Sequence, residues 1–166
     1  MAFEQERRNN GRDLDGLLVR PGELALVEDG TMLMTIVSVG VAVCLWEPSR
    51  KVAGLAHFLY PATTDRAQAT PRFGNVAVPY LVSLLRRWTP GVNCEAQIYG
   101  GAEQGSSIGM GERNVAMAEA ILTELGIQIA SRDVGGSKGR KLVFDSRLGH
   151  VAVVKVHTLR ESDWTA

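Results

Sequence analysis

His57 and Cys44 lie in two short apolar runs joined by a turn. A histidine beside a strand of small residues is an arrangement from which a cysteine or serine nucleophile can be activated. The first run, Met34 to Trp46, separates by alternate positions into two faces: Val37, Val39, Val41, Val43 and Leu45 on one, and Ser38, Gly40, Ala42 and Cys44 on the other. Glycine weakens a strand interior unless something approaches its backbone closely. The small face therefore either packs tightly against a helix or second sheet, or forms a pocket floor. The answering run is Val52 to Tyr60, and Pro48 between the two pre-sets the φ of a turn. With Pro48-Ser49 as turn centre, Gly40 falls opposite His57 with the β positions about 5 Å apart. A slip of one residue would send His57 to the other face. In the absence of such a neighbour, a lone histidine in an apolar strand is a hydrogen-bonded core residue.

Other chemistries find less support. The Gly/Ser-rich loop from Gly100 to Gly111 precedes a helix, but its spacing matches neither G-x-x-x-x-G-K-[ST] nor G-x-G-x-x-G, so it does not read as a phosphate cradle. There is no G-x-S-x-G nucleophile elbow. The two cysteines, Cys44 and Cys94, form no C-x-x-C pair, and no His/Cys/Asp cluster has metal-ligand spacing, so the sequence calls for no metal and no cofactor. Lys+Arg and Asp+Glu balance at 18 each, which argues against nucleic acid as a partner. No run approaches the roughly 20 apolar residues of a membrane span, and Met1 to Asp15 has no apolar core of a secretion signal, which points to a cytoplasmic protein with reduced thiols.

The elements that must position these residues read as follows. Residues 1–15 are polar and are expected to form a mobile tail, 16–158 one domain, and 159–166 a C-terminal tail. Glu23 to Val27 is a first strand, and the two apolar runs supply the central hairpin. The polar stretch from Ala62 to Arg72 is a loop with no element of its own. Asn75 is a candidate N-cap for a helix to about Trp88, with Val78, Leu81, Val82 and Leu85 on one face and Pro79 in the first turn. Asn93 to Tyr99 is a strand. A second helix carries Val115, Ala118, Leu122 and Leu125 and stops at Gly126. Ile127 to Ile129, Lys141 to Phe144 and Val151 to Val156 are further strands. Two helices and about seven strands, some in hairpins, argue for an α+β layered domain.

Across residues 19–156 the sequence resembles the CheD family, the chemoreceptor glutamine deamidases of bacterial chemotaxis. The resemblance is carried by Arg20-Pro21-Gly22-Glu23-Leu24, Val41-Ala42-Val43-Cys44-Leu45-Trp46-Glu47-Pro48 and Gly54-Leu55-Ala56-His57-Phe58-Leu59-Tyr60-Pro61. It continues through Arg72-Phe73-Gly74-Asn75-Val76-Ala77, Glu95 to Ala102, Gly111-Glu112-Arg113-Asn114-Val115 and Asp133 to Lys141. It implies a β-rich α+β sandwich like that of cytotoxic necrotising factor, and a Cys-His site that hydrolyses a receptor glutamine amide to glutamate.

In the family the nucleophile stands in a Leu-Gly-Ser-Cys-Val motif; the matching residues here are Val37-Ser38-Val39-Gly40-Val41, with Gly40 in the cysteine's place. The family's helping Thr or Ser falls on Met34, and Thr35, one place along, is expected to face the other way. His57 is retained. Cys44 lies about 13 Å along the strand from Gly40 and Ser38 about 7 Å. By resemblance Ser38, Arg72, Gly100, Gly101, Arg113, Asn114 and Arg140 would shape a substrate or partner groove; the residues alone also admit glycines that serve backbone conformation, Asn114 at a helix start, and Arg140 paired with Asp133 or Asp145. Glu103-Gln104 stand where the family often has a Met-Phe-like pair. Two expectations follow. The first is a CheD-like member that has lost its nucleophile and binds a chemoreceptor cytoplasmic region or a CheC-type phosphatase; the alternative is an active protein-glutamine deamidase.

Overall fold

The computed structural model describes residues 16–28, 30–160 and 162. The two terminal tails expected from sequence lie for the most part outside the described residues. Among the described residues nine strands and two α-helices follow in the order β1 (Gly16–Leu18), β2 (Leu24–Glu28), β3 (Met32–Val37), β4 (Val41–Glu47), β5 (Val52–Phe58), α1 (Gly74–Trp88), β6 (Glu95–Gly100), α2 (Met110–Glu124), β7 (Gln128–Val134), β8 (Gly139–Asp145) and β9 (His150–Val156). They form a four-stranded sheet, β1-β3-β8-β9, and a five-stranded sheet, β2-β5-β4-β6-β7. The β1/β3 and β6/β7 pairs are parallel and the other pairs antiparallel. This is the mixed α+β sandwich expected from sequence.

Alternation along β4 explains the layering. Val41, Val43 and Leu45 face the helices and pack with Leu81, Val82, Leu85 and Leu122; Ala42 and Cys44 face the second sheet and pack with Leu33, Leu142 and Phe144. The small face is thus the close-packing surface between two sheets. Only small residues let the sheets approach at that point while Phe144 and Leu142 fill the space from the other side.

Several expectations are corrected. The run from Met34 to Trp46 is not one strand: it bends at Ser38-Val39-Gly40, and β3 and β4 enter different sheets. The hairpin closes through four residues rather than two. Glu47 pairs with Val52, its carboxylate accepts from the N–H groups of Ser49 (2.7 Å) and Arg50 (2.9 Å), and Lys51 takes a φ of 55°. The register therefore moves by two, and Ala42 rather than Gly40 lies opposite His57. A shift of two preserves the face, so His57 still points between the sheets. Helix α1 starts at Gly74 after Phe73. The Asn75 side chain does not cap it but bridges the backbone of Thr63, and Pro79 falls in the second turn. The loop after Pro61 holds a short 3-10 helix, Arg66–Gln68. β1 was not foreseen, and β7 runs on through Asp133 and Val134.

Candidate functional site

His57, near the end of β5, is 2 % exposed. Its backbone is held on the β2 side of the strand by the residues just before β2: Gly22 N–H donates to the His57 carbonyl (2.8 Å), and His57 N–H donates to Glu23 O (3.0 Å). Its ring crosses to the other sheet, where Nδ1 lies 3.0 Å from Thr35 Oγ1 on β3. Thr35 is itself buried, and its hydroxyl donates to the Val19 carbonyl at 2.7 Å. A hydroxyl has one proton and a carbonyl can only accept. With that proton committed to Val19, Nδ1 must donate to Thr35, and the lone pair resides on Nε2. Burial lowers the His57 pKa to about 3, so the ring is neutral across the physiological range.

Nε2 faces Gly40. A Cβ built on Gly40 would lie 3.0 Å from Nε2, 2.7 Å from the Phe58 carbonyl oxygen and 3.4 Å from Leu59 Cδ2. The Gly40 φ lies outside the left-handed region, so what a side chain would meet here is close neighbours and not backbone strain.

The bend at 38–40 is clasped from two directions. Ala102 N–H donates to Ser38 O (2.8 Å) and Gly101 N–H to Gly40 O (2.9 Å). From α2, Asn114 Nδ2 donates to both Val39 O (3.0 Å) and Leu59 O (2.9 Å), tying the bend to the end of the histidine strand. Gly100 and Gly101 serve this clasp: a Cβ on Gly100 would strike the Gly40 carbonyl, and one on Gly101 would strike Val115 and Gly111. Both also have positive φ, at 112° and 63°. The buried Ser38 Oγ and Asn114 Oδ1 have no hydrogen-bond partner within the described residues.

The residues singled out from sequence are therefore only partly gathered. His57, Gly40, Ser38, Gly100, Gly101 and Asn114 surround the bend. Arg140 is buried and bonds Lys138 O, Gly135 O and Asp133 (3.0 Å), fastening β8 to the end of β7. Arg72 is exposed, over the Tyr60 ring at 6.0 Å, and Arg113 is exposed with its Nε on Gly109 O. Met34 and Thr35 are the reverse of the sequence expectation. Thr35 meets His57, whereas Met34 lies on the outer face against Gly16. Strand parity counted from Gly40 fails because the bend lies between. The signal that could have found Thr35 is its parity with Leu33 and Val37, both fully buried.

The two thiols are elsewhere. Cys44 is buried in the inter-sheet core diagonal to His57, and burial pushes its pKa far above the usual thiol range. Cys94 precedes β6, and its pKa is also raised by burial. Neither is a thiolate at neutral pH. Among the described residues no group of three His, Cys, Asp or Glu could hold a metal ion, and no helix is long and apolar enough to cross a membrane.

Comparison with known proteins places this geometry in context. The family profile described as CheD chemotactic sensory transduction matches residues 60–155. The chain is 40% identical over 131 residues to the probable chemoreceptor glutamine deamidase CheD 1 of Anaeromyxobacter dehalogenans, covering 74% of each chain. It is 32% identical over 139 residues to the chemoreceptor glutamine deamidase CheD of Thermotoga maritima, covering 81% of this chain and 88% of that one. A similar protein from Sulfurimonas denitrificans is 29% identical over 143 residues.

Proposed function

The chain belongs to the CheD family, and from that membership we propose that it is a chemotaxis protein that binds its partner without hydrolysing an amide. In a Cys-His deamidase the imidazole takes the thiol proton, the thiolate attacks the carboxamide carbon, and ammonia leaves with the proton returned to it. Water then opens the thioester to the carboxylate. This chain retains the base and its orienting partner. Thr35 holds His57 in the tautomer whose Nε2 could accept a proton.

The observation that carries the proposal is at the other end of that transfer. Nε2 is turned toward Gly40, which carries no side chain, and a Cβ there would lie 3.0 Å from Nε2 and 2.7 Å from the Phe58 carbonyl oxygen. A neutral base without a nucleophile forms no acyl intermediate. The partner by family is a chemoreceptor cytoplasmic region, with a CheC-type phosphatase as a second. Binding requires only a preserved surface.

The test mixes the protein with a chemoreceptor cytoplasmic fragment and follows complex formation, ammonia release and the mass of the fragment. The expected result is a complex with no ammonia and no mass change. Ammonia release that disappears in His57→Ala would overturn it. One observation favours a second reading, an active deamidase: the Thr35–His57 pair is intact, and the Ser38 hydroxyl lies buried and unpartnered in the same bend. In that case ammonia release would depend on both His57 and Ser38, and Ser38→Ala would abolish it.

A further inference from the structure

Between α2 and β7 runs a groove of about 550 Å³ that the histidine site does not use. Its apolar lining includes Val115 and Val134, and Ile108 stands at its lip 82% exposed. Three carboxylates also line it, Glu103, Glu112 and Glu119, and no lysine or arginine does. The three differ in what they already do. Glu103 accepts from the N–H groups of Gly109 (2.6 Å) and Glu112 (2.9 Å), so its charge is spent on the start of α2. Glu119 pairs with Arg132. Glu112 makes no side-chain hydrogen bond or ion pair within the described residues, and it is exposed on the first turn of α2.

We propose that this groove docks a segment of a partner protein that presents an apolar side chain to Ile108 and Val115 and a lysine or arginine to Glu112. The inference rests on the binding role proposed above and names the chemistry of the partner. An apolar floor with a one-sign rim selects a segment carrying both features, because the apolar contact supplies the affinity and the charge supplies orientation and discrimination. A purely apolar occupant would leave Glu112 facing a dry surface, and an acidic one would be repelled by it. The groove also adjoins the histidine site. Gly101 lines it and donates its N–H to Gly40 O, and Val115 follows Asn114, which holds the same bend. A docked segment is thereby placed against the loop that carries Gly40. The chain as a whole has zero formal charge, so the preference is local to this groove.

The test uses the full chain and two synthetic helical peptides, one with leucines on one face and lysines on the other, and its counterpart with glutamates for the lysines. Affinities are measured by fluorescence anisotropy. The expected result is tighter binding of the lysine peptide, weakened by Ile108→Ser. Glu112→Lys is expected to cost about tenfold, since reversal removes one attraction of a rim pair and adds a repulsion of similar size. Equal binding of both peptides, or a lysine peptide indifferent to Glu112→Lys, overturns the proposal. A wild-type dimer in sedimentation that Ile108→Ser converts to monomer overturns it as well, since the occupant is then a second copy. The chemoreceptor fragment separates the two readings. If it binds wild type, Glu112→Lys and Ile108→Ser alike, the groove inference fails while the binding role stands; if the fragment is deamidated, the proposed function fails instead.

Discussion

Replacing Gly40 by alanine adds a single methyl group where the structure leaves no room for one. Its carbon would lie 2.7 Å from the Phe58 carbonyl oxygen, well inside van der Waals contact, and 3.0 Å from His57 Nε2. The carbonyl belongs to the β4/β5 ladder, where Val41 pairs with Phe58, so it cannot swing away as a side-chain end could. The imidazole is tethered by Thr35 on its far side. Inserting a methyl into such a place costs about 1–3 kcal/mol. Because the backbone φ at Gly40 is one alanine accepts, the substitution also gains about 0.4–1 kcal/mol by reducing the freedom of the unfolded chain. The net expectation is a loss of between roughly 0 and 2.6 kcal/mol. For a domain of this size that lowers Tm by up to roughly 10 °C. Urea denaturation followed by tryptophan fluorescence, with Tm from calorimetry, measures both. Gly40→Ala more stable than wild type by as much as the lost chain freedom allows would refute the reasoning: it would mean that the space facing Nε2 is open, and a nucleophile could be accommodated there without cost.

Two further predictions test the histidine. Thr35→Val keeps the shape but leaves both the Val19 carbonyl and the His57 Nδ1–H without their shared hydroxyl, and is expected to cost roughly 2–5 kcal/mol in urea denaturation. Met34→Thr, on the outer face, should change stability little, and equal effects of the two would show that Thr35 does not orient the ring. The pH dependence has a defined sign. His57 has a folded-state pKa of about 3 against about 6.5 unfolded, so between those values the unfolded chain binds a proton that the folded chain refuses. The stability this contributes is complete above about pH 6.5 and is lost as pH falls toward 3, at up to about 1.4 kcal/mol per pH unit. His57→Gln should flatten the curve of Tm against pH by that amount between pH 6.5 and 4; parallel curves for the two proteins would show that the ring titrates normally in the folded state.

Local pattern made much of the architecture legible. The helical spacing of Val78, Leu81, Val82 and Leu85, the stop at Gly126 and the alternation in β4 are properties of neighbours in sequence, and the structure retains each of them. His57 facing the small side of the hairpin was legible for the same reason, since a register error of two residues leaves the face unchanged. The turn itself was misjudged because the Glu47 carboxylate, rather than Pro48, closes it.

The division of the apolar run at Ser38-Val39-Gly40 could not be seen locally, because apolar alternation continues on both sides and no strong turn pair interrupts it. It is decided by distant partners: β3 is claimed by β8, with Thr35 opposite Leu142, while β4 is claimed by β5 and β6. Once the chain bends, counting by twos from Gly40 no longer tells which way a residue on β3 points. The amino-acid sequence by itself determined that an imidazole at position 57 stands in one apolar run and a glycine at position 40 in the run before it. Only the tertiary structure decided that Thr35 on one sheet meets that imidazole on the other, and that its Nε2 is turned toward Gly40. The reason is physical: the order of side chains is covalent, whereas which faces meet depends on long-range pairing.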